Sequence, residues 1–288
     1  MGKNHLDFGT KLLDEIRDFI LTKIEDGFKK EKKPDSSFVT TVDTGVEDIM
    51  RERIHAIYPS HGIIGEEGGA FQPNAEFIWY LDPIDGTAEF VNRLPIYGVL
   101  LSLYHGGRPI LGMIDHPSLG IRLYAQAGGG SFINNMPIRI NNNNHKSIQE
   151  EIIAIGPRIM FEKQNASQVY DMLKKIFPKT EEIKNCHWHT RFFQGEFAAV
   201  VDYGLRSWDI SPIQLLVEEA GGKFIEMENR TIDGKDRHAI IFGKPDTVDW
   251  IVDFLQKSIK RFGISMRKKT ANRLKKQKKY LKDMDGRG

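Results

Sequence analysis

Two aspartates three residues apart, Asp82 and Asp85, open the stretch DPIDGT at 82–87, with Pro83 between them. The aromatic and branched run before it, FIWYL at 77–81, reads as a strand. Proline fixes its own φ and resists a regular continuation, so both carboxylates can come to one side of the bend. Gly86 admits a close approach of backbone or ligand, and Thr87 suits the N-cap of the helical run that follows. Free amides at a helix start favour phosphate. Paired carboxylates favour Mg²⁺, which takes few protein carboxylates and often completes its shell with substrate phosphate. The same residue types also build an ordinary Asx-type turn with a capped helix, so this stretch alone leaves both readings open.

Other acids stand at comparable places. Glu66 and Glu67 end the apolar run GIIGEEGG at 62–69, where adjacent acids are ordinarily solvated. Asp43 follows the extended FVTTV, and Asp209 follows Trp208 at the mouth of a helix, and either aspartate could be only a cap. Taken together, acids recur at the ends of apolar strands, and a cleft between two domains would let them meet.

The elements that must carry these acids are legible in outline. Residues 5–29 have apolar positions at helical spacing, and 38–59 begin extended and turn helical until Pro59. Residues 97–117 read as a hairpin turning at Gly106-Gly107, and 121–140 as further short strands. The polar NNNNHKS at 141–147 reads as a domain junction. Strands at 151–156, 223–227 and 238–243 alternate with helices at 166–177, 211–222 and 246–259. The expected organisation is an α+β domain over 1–145, an α/β domain over 146–256 that carries Trp208-Asp209, and a tail over 257–288.

The 288 residues have a net charge of +2, which hides an asymmetry. Residues 257–288 hold 13 Lys or Arg and two acids, leaving 28 basic and 37 acidic residues in the body. An acidic body is an unusual nucleic-acid binder and a natural host for divalent cations. The tail reads as a solvated extension, or as a contact for nucleic acid or another anionic partner. No apolar run is long enough for a membrane span, the first residues turn polar too early for a secretory signal, and the single Cys186 fits a reducing cytoplasm. In CHWH (186–189), strand alternation would put His187 and His189 on one face, but no second ligand cluster accompanies them.

GEE at 65–67, DPIDGTAEFVNRLP at 82–95, WDISPIQLLVEEAGG at 208–222 and a weaker VTTVD at 39–43 stand in an order and spacing that resemble the inositol monophosphatase family of metal-dependent phosphatases. The resemblance runs from about residue 5 to about 256. It implies a layered α/β/α/β/α sugar-phosphatase fold, two or three Mg²⁺ ions, lithium sensitivity, a cytoplasmic homodimer and a small phosphorylated alcohol as substrate. It implies that Glu66, Asp82, the Ile84 carbonyl, Asp85 and Asp209 hold metal, with Glu67 behind them, and that the Gly86 and Thr87 amides hold phosphate. It further implies that Glu66 and the Thr87–Asp43 pair orient the attacking water, and that an upstream lysine, by spacing Lys32, lies near the metal and phosphate.

The match frays in two places. The family carries a longer segment with a G-[ST]-x-A helix before WD, whereas only 13 residues separate Gly195 from Asp209, and Glu196 stands where a small hydroxyl residue is expected. Residues 94–117 look more like the histidinol-phosphate phosphatase branch. The shortened segment and basic tail also leave a non-catalytic, metal- or anion-binding member as an alternative.

Overall fold

The computed structural model describes residues 3–33, 38–141, 147–232 and 234–262. Most of the basic tail, from residue 263, lies outside them. The described chain divides into two compact units, each assembled from separated stretches. The first comprises 1–139, 184–194 and 207–221, and the second 140–183, 195–206 and 222–288.

In the first unit, α1 (Lys3–Asp26) and a short hairpin of β1 (Lys30–Lys32) and β2 (Phe38–Thr40) lead to α2 (Thr41–Ile57). There follow β3 (Gly62–Gly65), β4 (Gly69–Phe71), β5 (Phe77–Asp85), the single-turn helix α3 (Thr87–Val91), β6 (Gly98–His105) and β7 (Arg108–His116). β8 (Ile121–Gln126), β9 (Gly130–Ile133) and β10 (Met136–Pro137) complete an eight-stranded sheet of order β10-β9-β8-β7-β6-β5-β3-β4. All pairs are antiparallel except β3 with β5.

The apolar stripe of α1 (Leu13, Ile16, Ile20) and that of α2 (Val46, Met50, Ile54) enter one core with Trp79, Leu81, Leu101, Leu103 and Met113. Those sheet residues are odd-numbered and share one face, because side chains alternate along a strand. The even face looks elsewhere: Tyr104 donates its hydroxyl to the Ser211 carbonyl at 3.2 Å, and a Cβ on Gly112 would stand 2.7 Å from the Pro212 carbonyl oxygen. β6 is therefore buried along six consecutive residues, with helices over both faces.

The second unit has β11 (Ile153–Ile155), α4 (Arg158–Lys163), α5 (Ser167–Ile176) and β12 (Thr180–Glu182). After α6 (Cys186–Phe193), which belongs to the first unit, comes β13 (Ala199–Leu205). Then α7 (Ser207–Glu219) returns to the first unit, and β14 (Lys223–Ile232), β15 (Lys235–Gly243) and α8 (Pro245–Phe262) finish the second. Its mixed sheet runs β12-β11-β13-β15-β14 around a core that includes Phe161, Leu173, Tyr203, Ile241 and Ile251.

Two expectations about these elements are corrected. The helix carrying Trp208 and Asp209 does not belong with the second half of the chain, because α7 packs along β5 to β9 of the first unit. CHWH is helical rather than extended: Asn185 caps α6 by accepting the His187 N–H at 3.0 Å. Two residues apart on a helix are about 200° apart, so His187 and His189 do not share a face. The chain also passes from Gly195 into β13 with no helix between them.

Candidate functional site

The strand β5 does not end before its acids; it bulges. Asp82 pairs with Leu100 and Asp85 with Gly98, so β5 carries one extra residue between them. In a regular strand, residues three apart point to opposite faces. The bulge, in which Pro83 owes no ladder hydrogen bond, cancels that alternation and brings Asp82 and Asp85 to the side that receives α7. Burial, the charges of Glu66, Asp85 and Asp209 and a hydrogen bond with Asp209 together push the Asp82 carboxyl well above its ordinary pKa. Two carboxyl groups share a hydrogen bond only when one keeps a proton. Asp82 is 1% exposed and its Oδ1 has no hydrogen-bond partner.

Glu66 sits just past β3, the parallel neighbour of β5, with its amide bonded to the Leu81 carbonyl at 3.3 Å. Lys33 Nζ lies 3.0 Å from Glu66 and 2.6 Å from Glu67. Burial raises the Glu66 pKa to about 7 against the pull of Lys33, with Glu67 and Asp43 adding to the rise. The lysine at the acids is therefore Lys33, not Lys32. Side chains alternate along the β1 edge, and Lys32 is exposed with its ammonium 5.8 Å from the Phe38 ring centroid.

Asp43 arrives from the first turn of α2. Thr40 is the N-cap, and Asp43 answers it in a capping box, accepting Thr40 N at 2.8 Å and Thr40 Oγ1 at 2.5 Å. Its other oxygen faces Thr87 Oγ1 at 3.2 Å. Burial outweighs these bonds and raises the Asp43 pKa. Thr87 is not the cap of its helix: Gly86 is, in the left-handed region at φ 88°. That leaves the Thr87 hydroxyl between Asp43 and the Ile84 carbonyl, the latter at 3.0 Å.

Two contributors escaped the sequence reading. The Cys186 N–H, at the start of α6, donates to Asp85 Oδ2. Asn185 packs under the turn, its Nδ2 bonded to the Ile96 carbonyl at 2.7 Å, and a Cβ on Gly86 would come within 2.6 Å of that nitrogen. The Cys186 thiol is buried, and burial together with Asp85, Asp82 and Asp209 raises its pKa far enough to keep it protonated. His116 bonds Tyr97 O at 2.7 Å and Thr190 Oγ1 of α6 at 2.8 Å, and burial lowers its pKa to about 4, so it is a neutral strut. No local signal in CHWH marks these contacts, because they depend on where α6 docks.

All the acids named from sequence thus belong to the first unit. Among the described residues, no three acidic, histidine or cysteine side chains close on one point as a finished cage. The Lys33 ammonium already neutralises two of the acids, and Asp82 Oδ1 is the atom left over. An all-oxygen, carboxylate-rich set with a spare buried oxygen fits a hard divalent cation.

Comparison with known proteins agrees with this chemistry. The model of the inositol monophosphatase family matches residues 5–260. A histidinol-phosphatase of Chlorobaculum parvum is 30% identical over 205 residues, covering 70% of this chain and 78% of that protein. A fructose-1,6-bisphosphatase/inositol-1-monophosphatase of Thermotoga maritima is 26% identical over 261 residues, covering 90% and 99%. A solved IMPase/NADP phosphatase, complexed with Mg²⁺ and phosphate, has the same fold at a TM-score of 0.74 and 21% identity, covering 87% of this chain and 95% of that one.

Proposed function

The chain belongs to the inositol monophosphatase family, and from that premise we propose that it hydrolyses a small alcohol phosphate with Mg²⁺. It is a phosphoric monoester hydrolase. The observation that carries the cation reading is the enclosed Asp82 carboxyl, with an unpartnered oxygen and three acidic neighbours. Like charges gathered in a dry place ask for a cation.

Glu66, Asp82, Asp85, Asp209 and the Ile84 carbonyl would hold Mg²⁺, and Glu67 stays with Lys33 behind Glu66. When bound, Mg²⁺ neutralises the phosphate dianion, acidifies a water and stabilises the leaving alkoxide. The Gly86 and Thr87 amides would receive phosphate oxygens at the start of α3. Thr87 and Glu66 orient the water. As its oxygen bonds to phosphorus and the bond to the alcohol oxygen breaks, its proton moves through Thr87 toward Asp43, whose raised pKa suits an acceptor. The leaving alkoxide takes its proton from solvent water, Asp43 returns the proton it accepted to solvent, and no side chain is phosphorylated.

Inositol monophosphate is the first substrate. Histidinol phosphate is the second, favoured by residues 94–117 and by the Chlorobaculum relative. Side-by-side rates on the two esters with Mg²⁺ decide between them, and Asp85→Asn removes the activity. A wild-type protein that frees no phosphate from a broad panel of monoesters overturns the reading. Lithium inhibition and a cytoplasmic homodimer belong to the same proposal, the dimer to be read by sedimentation. Among the described residues no helix is long and apolar enough to cross a membrane.

A further inference from the structure

α2 presents two buried acids one turn apart, Asp43 and Glu47, each 1% exposed. Asp43 meets the 82–87 turn through Thr87. Glu47 meets the other acidic turn. Its Oε2 accepts the Glu67 N–H at 2.8 Å, and its Oε1 accepts the Gly68 N–H at 2.7 Å. Arg51, one turn further along, donates its Nε to Oε1 at 2.7 Å and a second guanidinium N–H to the Gly69 carbonyl. The seat is close-fitting: a Cβ on Gly65 would stand 2.3 Å from Glu47 Oε1, and one on Gly68 2.8 Å from it.

We propose that Glu47 is a positioning residue that fixes the 65–69 turn, and thereby holds Glu66 against Asp82 and sets the affinity for the divalent cation. The inference rests on the reading that Glu66 helps to hold Mg²⁺. Glu66 and Asp82 repel each other, and a turn flanked by glycines has little stiffness of its own to resist that repulsion. A carboxylate receiving two backbone amides in a buried place supplies the restraint, because charge-assisted bonds are the strong ones there. Both Glu47 oxygens are committed to amides and Arg51, so Glu47 acts through the turn and not on the cation. α2 becomes the spacer between the two acid-bearing turns, one acid for each.

The test is a calorimetric titration of Mg²⁺ into the metal-free full chain. Glutamine offers one acceptor where two N–H groups wait, so Glu47→Gln weakens Mg²⁺ binding about 10- to 100-fold, the range for lost supporting bonds. At saturating Mg²⁺ its kcat returns to within about threefold of wild type, as expected for lost ion binding alone. Arg51→Gln keeps both amide bonds and shifts the affinity by less than about threefold. Wild type that binds Mg²⁺ and Glu47→Gln that binds it equally well overturn the proposal. Wild type that binds no Mg²⁺ overturns the cation reading beneath it instead. Hydrogen exchange of the wild-type Glu67 and Gly68 amides needs no variant: protection supports the anchor, and free exchange overturns it.

Discussion

Asp82 sits in an environment that conflicts with its ionised form, and that conflict is measurable. Its folded pKa is raised, so the folded state binds protons that the unfolded state releases. The stability it contributes is present below the ordinary value of 3.8 and is lost as pH rises through the raised value. Metal-free Asp82→Asn should therefore be more stable than metal-free wild type, by a margin that is small near pH 4 and widens as pH rises. The same variant should lose phosphatase activity. Denaturant melts at several pH values check the first part, and equal stabilities throughout would refute it. Cys186 makes the opposite prediction. Its contribution to Asp85 includes a backbone N–H, so Cys186→Ser should keep phosphate release within about threefold.

At the scale of elements, the site is held by the bulge of β5, the start of α3 and the start of α6. Gly86 joins the three, since its φ of 88° and the 2.6 Å approach of Asn185 both exclude a side chain. Gly86→Ala should cost about 1–3 kcal/mol of stability, the range for a residue forced into the left-handed region, and abolish turnover. Asn185→Ala removes an N-cap and should destabilise by about 1 kcal/mol. Because Asp85 leans on that helix, the variant should also raise the Mg²⁺ concentration needed for half-maximal rate. A stability loss with unchanged Mg²⁺ dependence would show that α6 does not hold Asp85.

For the whole molecule, the unit that carries the acids is discontinuous, closed by α6 and α7 from the second half of the chain. A fragment of residues 1–145, which the polar junction suggests as a domain, leaves the even face of the sheet without α7 and Asp82 without Asp209. It should fail to melt cooperatively and should not bind Mg²⁺ measurably. Circular dichroism and calorimetry of that fragment decide the point, and a cooperative, Mg²⁺-binding fragment would sink it.

What the sequence determined by itself is what local chemistry encodes. The acids at 66, 82, 85 and 209 and the hairpin at Gly106-Gly107 depend on residue type and on neighbours a few positions away. So do most helices and strands, whose apolar periods of 3.6 and 2 are written along the chain. Tertiary structure decided the rest, because the deciding contacts span tens of residues. Lys33 rather than Lys32 is chosen because the residue just past β1 reaches Glu66 and Glu67, while the Lys32 ammonium lies over the Phe38 ring. CHWH folds as a helix although its residue types allow a strand, and it then lends a backbone amide to an aspartate 101 residues away. Glu47 carries no motif of its own, and two amides 20 and 21 residues on give it its place. Two aspartates three apart share a face only because one residue of β5 is left out of register with β6, a fact that appears once the two strands are paired.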